Sequence, residues 1–167
     1  MSNLKTLLKN KFIGARKVVV LGVGSTLRGD DAAGMLVAEE IEKYRKKANQ
    51  GRRLKVLFGE TAPENFTGDI RRFDPTHLVI VDCAEFKKKP GSVVLLNPQS
   101  IQGISFSTHS LPLKIMTDYL LIDLECEIII IGIQPKDVHF GVPRSAQILK
   151  AVKDVSKAVK ETLKEVL

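Results

Sequence analysis

Residues 18–34 read Val18-Val19-Val20-Leu21-Gly22-Val23-Gly24-Ser25-Thr26-Leu27-Arg28-Gly29-Asp30-Asp31-Ala32-Ala33-Gly34, and the fold turns on how they are read. The apolar run Val18–Leu21 is too continuous for a strand with one wet face, so it reads as a strand covered on both sides. A glycine-rich turn follows. Leu36, Val37, Ile41 and Tyr44 then fall at helical spacing and predict a helix from about Ala32 to Lys47. A strand, a glycine turn and a helix make the opening unit of an α/β sheet.

Outward from there the pattern repeats. Lys46 to Arg53 is a polar turn, and Leu54 to Phe58 makes a second strand. Pro63 suits the first turn of a short helix through about Phe73, which Asp74-Pro75 ends. His77-Leu78-Val79-Ile80-Val81-Asp82 reads as a third buried strand ending on a carboxylate. Lys89-Pro90-Gly91 turns into a strand at Val93 to Leu96, residues 98–110 read as loop, and Pro112 opens a helix through about Leu121. Glu127 to Ile133 is the last strand, residues 135–143 are irregular, and a long amphipathic helix closes the chain. The alternation predicts a three-layer α/β/α sandwich with a mostly parallel sheet of about five strands. No repeat or linker divides it, so residues 1–167 read as a single domain.

Composition narrows the function classes. Hydrophobic residues are 44% and charged ones 27% of the 167, enough for a sizeable core and a solvated surface. Nothing approaches the ~20 consecutive apolar residues needed to span a bilayer. The first residues mix apolar side chains with lysines and lack the build of a secretory signal. Two cysteines without paired spacing argue against a disulfide scaffold or a cysteine zinc site, and suit a reducing cytoplasm. The 26 Lys+Arg against 19 Asp+Glu leave +7, but aromatics are 5% and tryptophan is absent, which disfavours nucleic acid as partner. Lys153, Lys157, Lys160 and Lys164 line the last helix as a solvated face, or as a docking face for an acidic protein.

In open α/β sheets, ligands bind outside the carboxyl ends of the strands. Four segments there carry polar groups: residues 22–31, Gly59 to Asn65, Asp82, and Ser107-Thr108-His109-Ser110-Leu111-Pro112. The first is no phosphate cradle. Leu27 occupies the place of the third glycine in a dinucleotide fingerprint, and Asp30-Asp31 stand where a P-loop needs Lys and Ser or Thr. Adjacent carboxylates repel a phosphate and attract a cation. Asp30 is expected to cap the helix, leaving Asp31 for the cleft. Asp31, Asp82 and His109 together offer two carboxylates and an imidazole. Such a set suits zinc, nickel or another borderline divalent ion without choosing among them. His77 sits at the wrong end of its strand and is expected to make local hydrogen bonds, and Cys83 reads as a small strand residue rather than a nucleophile.

The segment Val20 to Gly34 resembles the G-x-G-N-x-L-x-x-D-(D/E)-x-x-G signature of hydrogenase maturation endopeptidases. Thr61-Ala62-Pro63-Glu64-Asn65, Val79-Ile80-Val81-Asp82, Thr108-His109-Ser110-Leu111-Pro112 and Gly132-Ile133-Gln134-Pro135 are similar to further blocks of that family. The last forms resemble the branch serving formate hydrogenlyase-type (group 4) hydrogenases. The resemblance implies an aspartyl-type endopeptidase that removes a C-terminal extension from the large-subunit precursor of a nickel-iron hydrogenase after nickel insertion. It implies that Asp31, Asp82 and His109 are both the metal-contacting and the catalytic positions. The nickel would arrive on the precursor, the expected partner, with zinc or another divalent ion able to occupy the isolated site. A non-catalytic nickel-sensing checkpoint for the same subunit would carry the same trio. Two positions depart from the family pattern. Ser25 replaces the signature Asn, and Phe58-Gly59-Glu60 stands where Asp-Gly-Gly is usual, with Glu60 as the acid that could compensate.

Overall fold

The computed structural model describes residues 2–101, 104–106 and 110–167, apart from the side chains at 2, 3 and 110–112. The sheet has the order β2 (Leu54–Glu60), β1 (Val18–Val23), β3 (His77–Glu85), β6 (Glu127–Ile133), β4 (Val93–Leu96), with β5 (Ser105–Phe106) paired to β3 off this path. Parallel strands β1, β2, β3 and β6 form its body. The edge strand β4 runs antiparallel to β6, and the short β5 antiparallel to the end of β3. Among the described residues no helix is long and apolar enough to cross a membrane.

The continuous apolar runs divide by strand period into two cores. Val18 and Val20 of β1, with Val79, Val81, Ile129 and Ile131, face α1 (Ser2–Lys11), α2 (Ala33–Lys47) and α5 (Ala146–Val166). Val19 and Leu21, with Leu78, Ile80, Ile128 and Ile130, face α3 (Thr67–Phe73) and α4 (Ser110–Asp123). Helices on both faces are why these strands show no polar alternation. The expected α/β/α sandwich is therefore the one observed.

Three elements differ from expectation. The sheet has six strands rather than five, because β5 is a two-residue pairing with no periodicity to read. β3 continues past Asp82 to Glu85, since β6 keeps pairing with it through Cys83↔Ile133 after β1 stops at Gly22↔Val81. The basic leader forms α1, whose Leu4 and Leu8, with Phe12 just past its end, follow one stripe onto the first core. Lys5 and Lys9 pair with Glu161 at 2.9 Å and Glu165 at 2.7 Å, so some α5 charge is met from within the chain.

His77 supports this docking. Its ring stacks on Phe12 with centroids 5.6 Å apart, and Nδ1 lies 3.1 Å from Thr76 Oγ1, a local contact as expected. Burial holds its pKa below the ordinary 6.5, against the raising influence of Glu127. Above that value both folded and unfolded histidine are neutral. As pH falls below it, the unfolded chain takes up a proton that the folded chain resists, so stability drops. His77→Gln should reduce the loss of urea midpoint between pH 7.5 and 5.5 relative to the natural chain.

The contact that positions the site is between α2 and the strands. A Cβ added at Gly34 would fall far inside 3.0 Å of the carbonyl oxygens of Val23 and Val81. Gly34→Ala gains about 1 kcal/mol of helix propensity but forces the helix off the sheet, which typically costs about 1–3 kcal/mol in a packed interior. The expected outcome is a lower urea midpoint with an unchanged slope; a higher midpoint would refute this close approach.

Candidate active site at the ends of the first and third strands

From β1 the chain passes to β2 on one side and later to β3 on the other, so a topological switch point lies between β1 and β3. The turn over it is built from the glycine segment. Gly24 has φ +123°, and a Cβ there would collide with the Asp31 carbonyl. That turn brings the Ser25 N–H to Asp31 Oδ2 at 2.8 Å. A 3-10 turn over Gly29–Ala32 then delivers the chain into α2. Asp31, three residues before Gly34, is 1% exposed, as is Asp82 directly after Val81. Asp82 Oδ1 accepts the Cys83 N–H at 2.7 Å. Because β1 stops pairing at Val81 while β6 pairs with Asp82 itself, Asp82 sits inside the sheet yet beside its open switch point.

Asp30 does not cap its own helix. The residue at the α2 cap is Ala32, which has no side-chain cap bond. Asp30 is fully buried and accepts from the Ser145 N–H at 2.7 Å, Ser145 Oγ at 2.8 Å and the Lys136 N–H at 2.8 Å. Its own N–H donates to Asp137 O at 2.9 Å. Ser145 in turn caps α5, accepting the Ile148 N–H at 3.2 Å. Successive side chains of a 3-10 turn point about 120° apart, so Asp30 turns to the 136–145 loop while Asp31 turns to the Ser25 amide. The doublet thus divides its labour, with a tether beside the site acid.

Cys83 confirms that the acids share one neighbourhood. Its thiol donates to the Asp30 carbonyl at 2.8 Å. Burial first, and then the charges of Asp82, Asp31 and Asp30, push its pKa well above the ordinary value. It stays a thiol and is no nucleophile, as its reading from the sequence expected. Gln134, which the sequence singled out only as part of a block, is buried and structural. Its Oε1 accepts from the Phe86 N–H at 3.0 Å and its Nε2 donates to Glu85 at 3.1 Å, bracing the segment after β3.

His109 lies outside the described residues. Among those described, no group of three His, Cys, Asp or Glu side chains could hold a metal ion, so Glu60 does not complete a set with Asp31 and Asp82. Glu60 instead contributes backbone. It adopts φ +48° and its carbonyl accepts the Gly24 N–H at 2.8 Å. Ser25, in place of the signature Asn, accepts the Leu27 N–H on its hydroxyl at 3.3 Å, so the turn keeps a side-chain contact. His139 is exposed and pairs with Asp137 at 2.6 Å.

The chain and its fold have known relatives. Residues 35–164 match the model of the HycI hydrogenase maturation protease family. The chain belongs to that family. It is 38% identical over 138 residues to the Hydrogenase 3 maturation protease of Escherichia coli K12, covering 82% of this chain and 85% of that one. The crystal structure of the [NiFe] hydrogenase maturation protease HycI from Thermococcus kodakarensis superposes with TM-score 0.84 at 31% identity, covering 95% and 99% of the two chains. The solution structure of the endopeptidase HycI from Escherichia coli gives TM-score 0.74 at 36% identity, covering 87% and 90%. The tether should be visible in stability. Asp30→Asn keeps the shape but loses the charge and one acceptor, leaving a buried N–H unmet. Thermal unfolding should show a loss of about 2–3 kcal/mol, and an unchanged thermal midpoint would refute the tether.

Proposed function

We propose that this chain is the endopeptidase that removes the C-terminal extension of a nickel-iron hydrogenase large-subunit precursor once nickel is in place, in the formate hydrogenlyase-type branch. The observation that carries the reading is the burial of Asp31 and Asp82 together at the switch point between β1 and β3. Family membership supplies the reaction class. The Hydrogenase 3 relative supports the branch. Two free cysteines and no disulfide suit a cytoplasmic setting.

In this reading the nickel is part of the substrate. Asp31 and Asp82 offer carboxylate oxygens to it, and His109 an imidazole nitrogen, a donor set that fits a borderline divalent ion. Nickel bound to the precursor supplies charge that neutralises the paired acids and anchors the scissile segment over them. The chemistry is hydrolysis. Water attacks the peptide carbonyl while one aspartate takes a proton from it, and the same aspartate returns that proton to the leaving amine as the carbon–nitrogen bond breaks. Asp31 is suited to such a task because the Ser25 N–H holds its orientation.

The test is mass spectrometry of a co-expressed large subunit. With nickel, the natural chain should shorten it at the C-terminus; without nickel, it should not. Asp31→Ala and Asp82→Ala should each lower the cleavage rate by at least 100-fold, roughly the effect of removing a general base, while remaining folded by circular dichroism. Tight nickel-dependent binding with no shortening would replace the peptidase by a checkpoint, and cleavage that survives both variants would remove these acids from the reaction.

A further inference from the structure

The turn that carries Asp31 and the loop tethered by Asp30 form one wall. Arg28 Nε donates to Val138 O at 3.0 Å, the Gly141 N–H donates to Leu27 O at 2.9 Å, and Arg144 reaches Thr26 O at 3.4 Å. With the bonds from Asp30 to Lys136 and Ser145, these fix two loops that are distant in sequence into a single rim. At its crest stand two large apolar side chains, Leu27 at 63% and Phe140 at 75% exposure. The bond from Gly141 to Leu27 makes them neighbours.

Such side chains gain nothing by facing water. The rim is also predominantly basic. Lys136, Arg28 and Arg144 lie on the same two segments as the apolar pair, and among the described residues they enter no salt bridge. Asp137 is the one acid of residues 136–144, and it accepts the His139 N–H at 2.9 Å and lies 2.6 Å from the His139 ring, leaving three cations against one anion. The exposed stripe on α4, with Ile115, Tyr119 and Ile122, differs in this respect. Its neighbouring charges are already matched, Lys114 with Asp118 at 2.6 Å and Arg71 with Asp123 at 2.6 Å.

We infer that the Leu27–Phe140 rim is the docking edge for the substrate protein, and that it takes an acidic segment carrying an apolar side chain. The apolar residue seats between Leu27 and Phe140, and flanking carboxylates meet Lys136, Arg28 and Arg144. Charge complementarity and continuity with the site both favour this occupant. The residues that form the rim run without a break into Asp31, so a segment held there lies beside the site acids. Preordered aromatic and aliphatic anchors ringed by charge are the arrangement that concentrates binding energy at an interface. The charges should act mainly on encounter and so weaken with salt. This inference rests on the proposed maturation function.

The test measures cleavage and binding of the nickel-loaded large-subunit precursor by the full chain. Leu27→Ser/Phe140→Ser should raise KM and the dissociation constant at least tenfold, with the loss in KM rather than kcat. Lys136→Glu, which leaves the rim's hydrogen bonds in place, should weaken binding at low salt and reduce its salt dependence. Both variants change exposed side chains, and an unchanged thermal midpoint confirms folding. As a comparison, Ile122→Ser on α4 should leave KM within twofold. If the natural chain cuts the precursor and both rim variants cut it with unchanged KM, the docking inference is wrong while the function stands. A rise in KM from Ile122→Ser alone would move the docking edge to α4 and overturn it likewise. If the natural chain binds without cutting and the rim variants lose binding, the docking edge stands and the peptidase reading fails. No binding by the natural chain would overturn both.

Discussion

The close approach of α2 to the carboxyl ends of β1 and β3 is the constraint on which the rest depends. A helix normally stands off a sheet by the thickness of its side chains. Here Gly34 removes that spacer, and the helix backbone meets the carbonyls of Val23 and Val81 directly. Gly24, with its positive φ, lets the preceding turn double back under Asp31. The first turn of α2 is thereby pinned over the switch point, and a carboxylate that precedes it has one place to go.

That placement explains why two adjacent acids are tolerated. Side by side in sequence, they diverge in space, and each has its own donors. Asp30 meets Ser145 and Lys136, and Asp31 meets the Ser25 amide. Buried carboxylates persist when hydrogen-bonded in this way and are costly otherwise. The Asp30 tether also couples the start of α5 to the site turn, through the same serine that caps that helix. Stability of the distal loop and geometry of the site acids are therefore one system, and the exposed rim inherits its rigidity from both.

Much of this was legible in advance. Four parallel strands, the long helices and the sandwich architecture follow from apolar period and glycine placement, and Asp31 and Asp82 stood out as candidates because acids fall there after strands. What escaped reading has identifiable causes. α1 was hidden because the stripe of Leu4, Leu8 and Phe12 is interleaved with lysines that pair with α5. The extension of β3 to Glu85 depends on partners in β6 and β5. Asp30 read as a cap because local rules favour one, whereas its donors lie more than 100 residues away.

Sequence by itself determined the family, the α/β order of elements and the choice of two candidate acids, because each rests on short-range patterning: strand period, a glycine turn, a carboxylate at a fixed offset. Tertiary structure decided where those acids stand. It separated Asp30 from Asp31 by direction, set Asp82 within the sheet instead of at its end, kept Cys83 protonated and drew Leu27 beside Phe140 at the rim. Each of these depends on which distant backbone group arrives as neighbour, and that is set by packing rather than by any local run of residues.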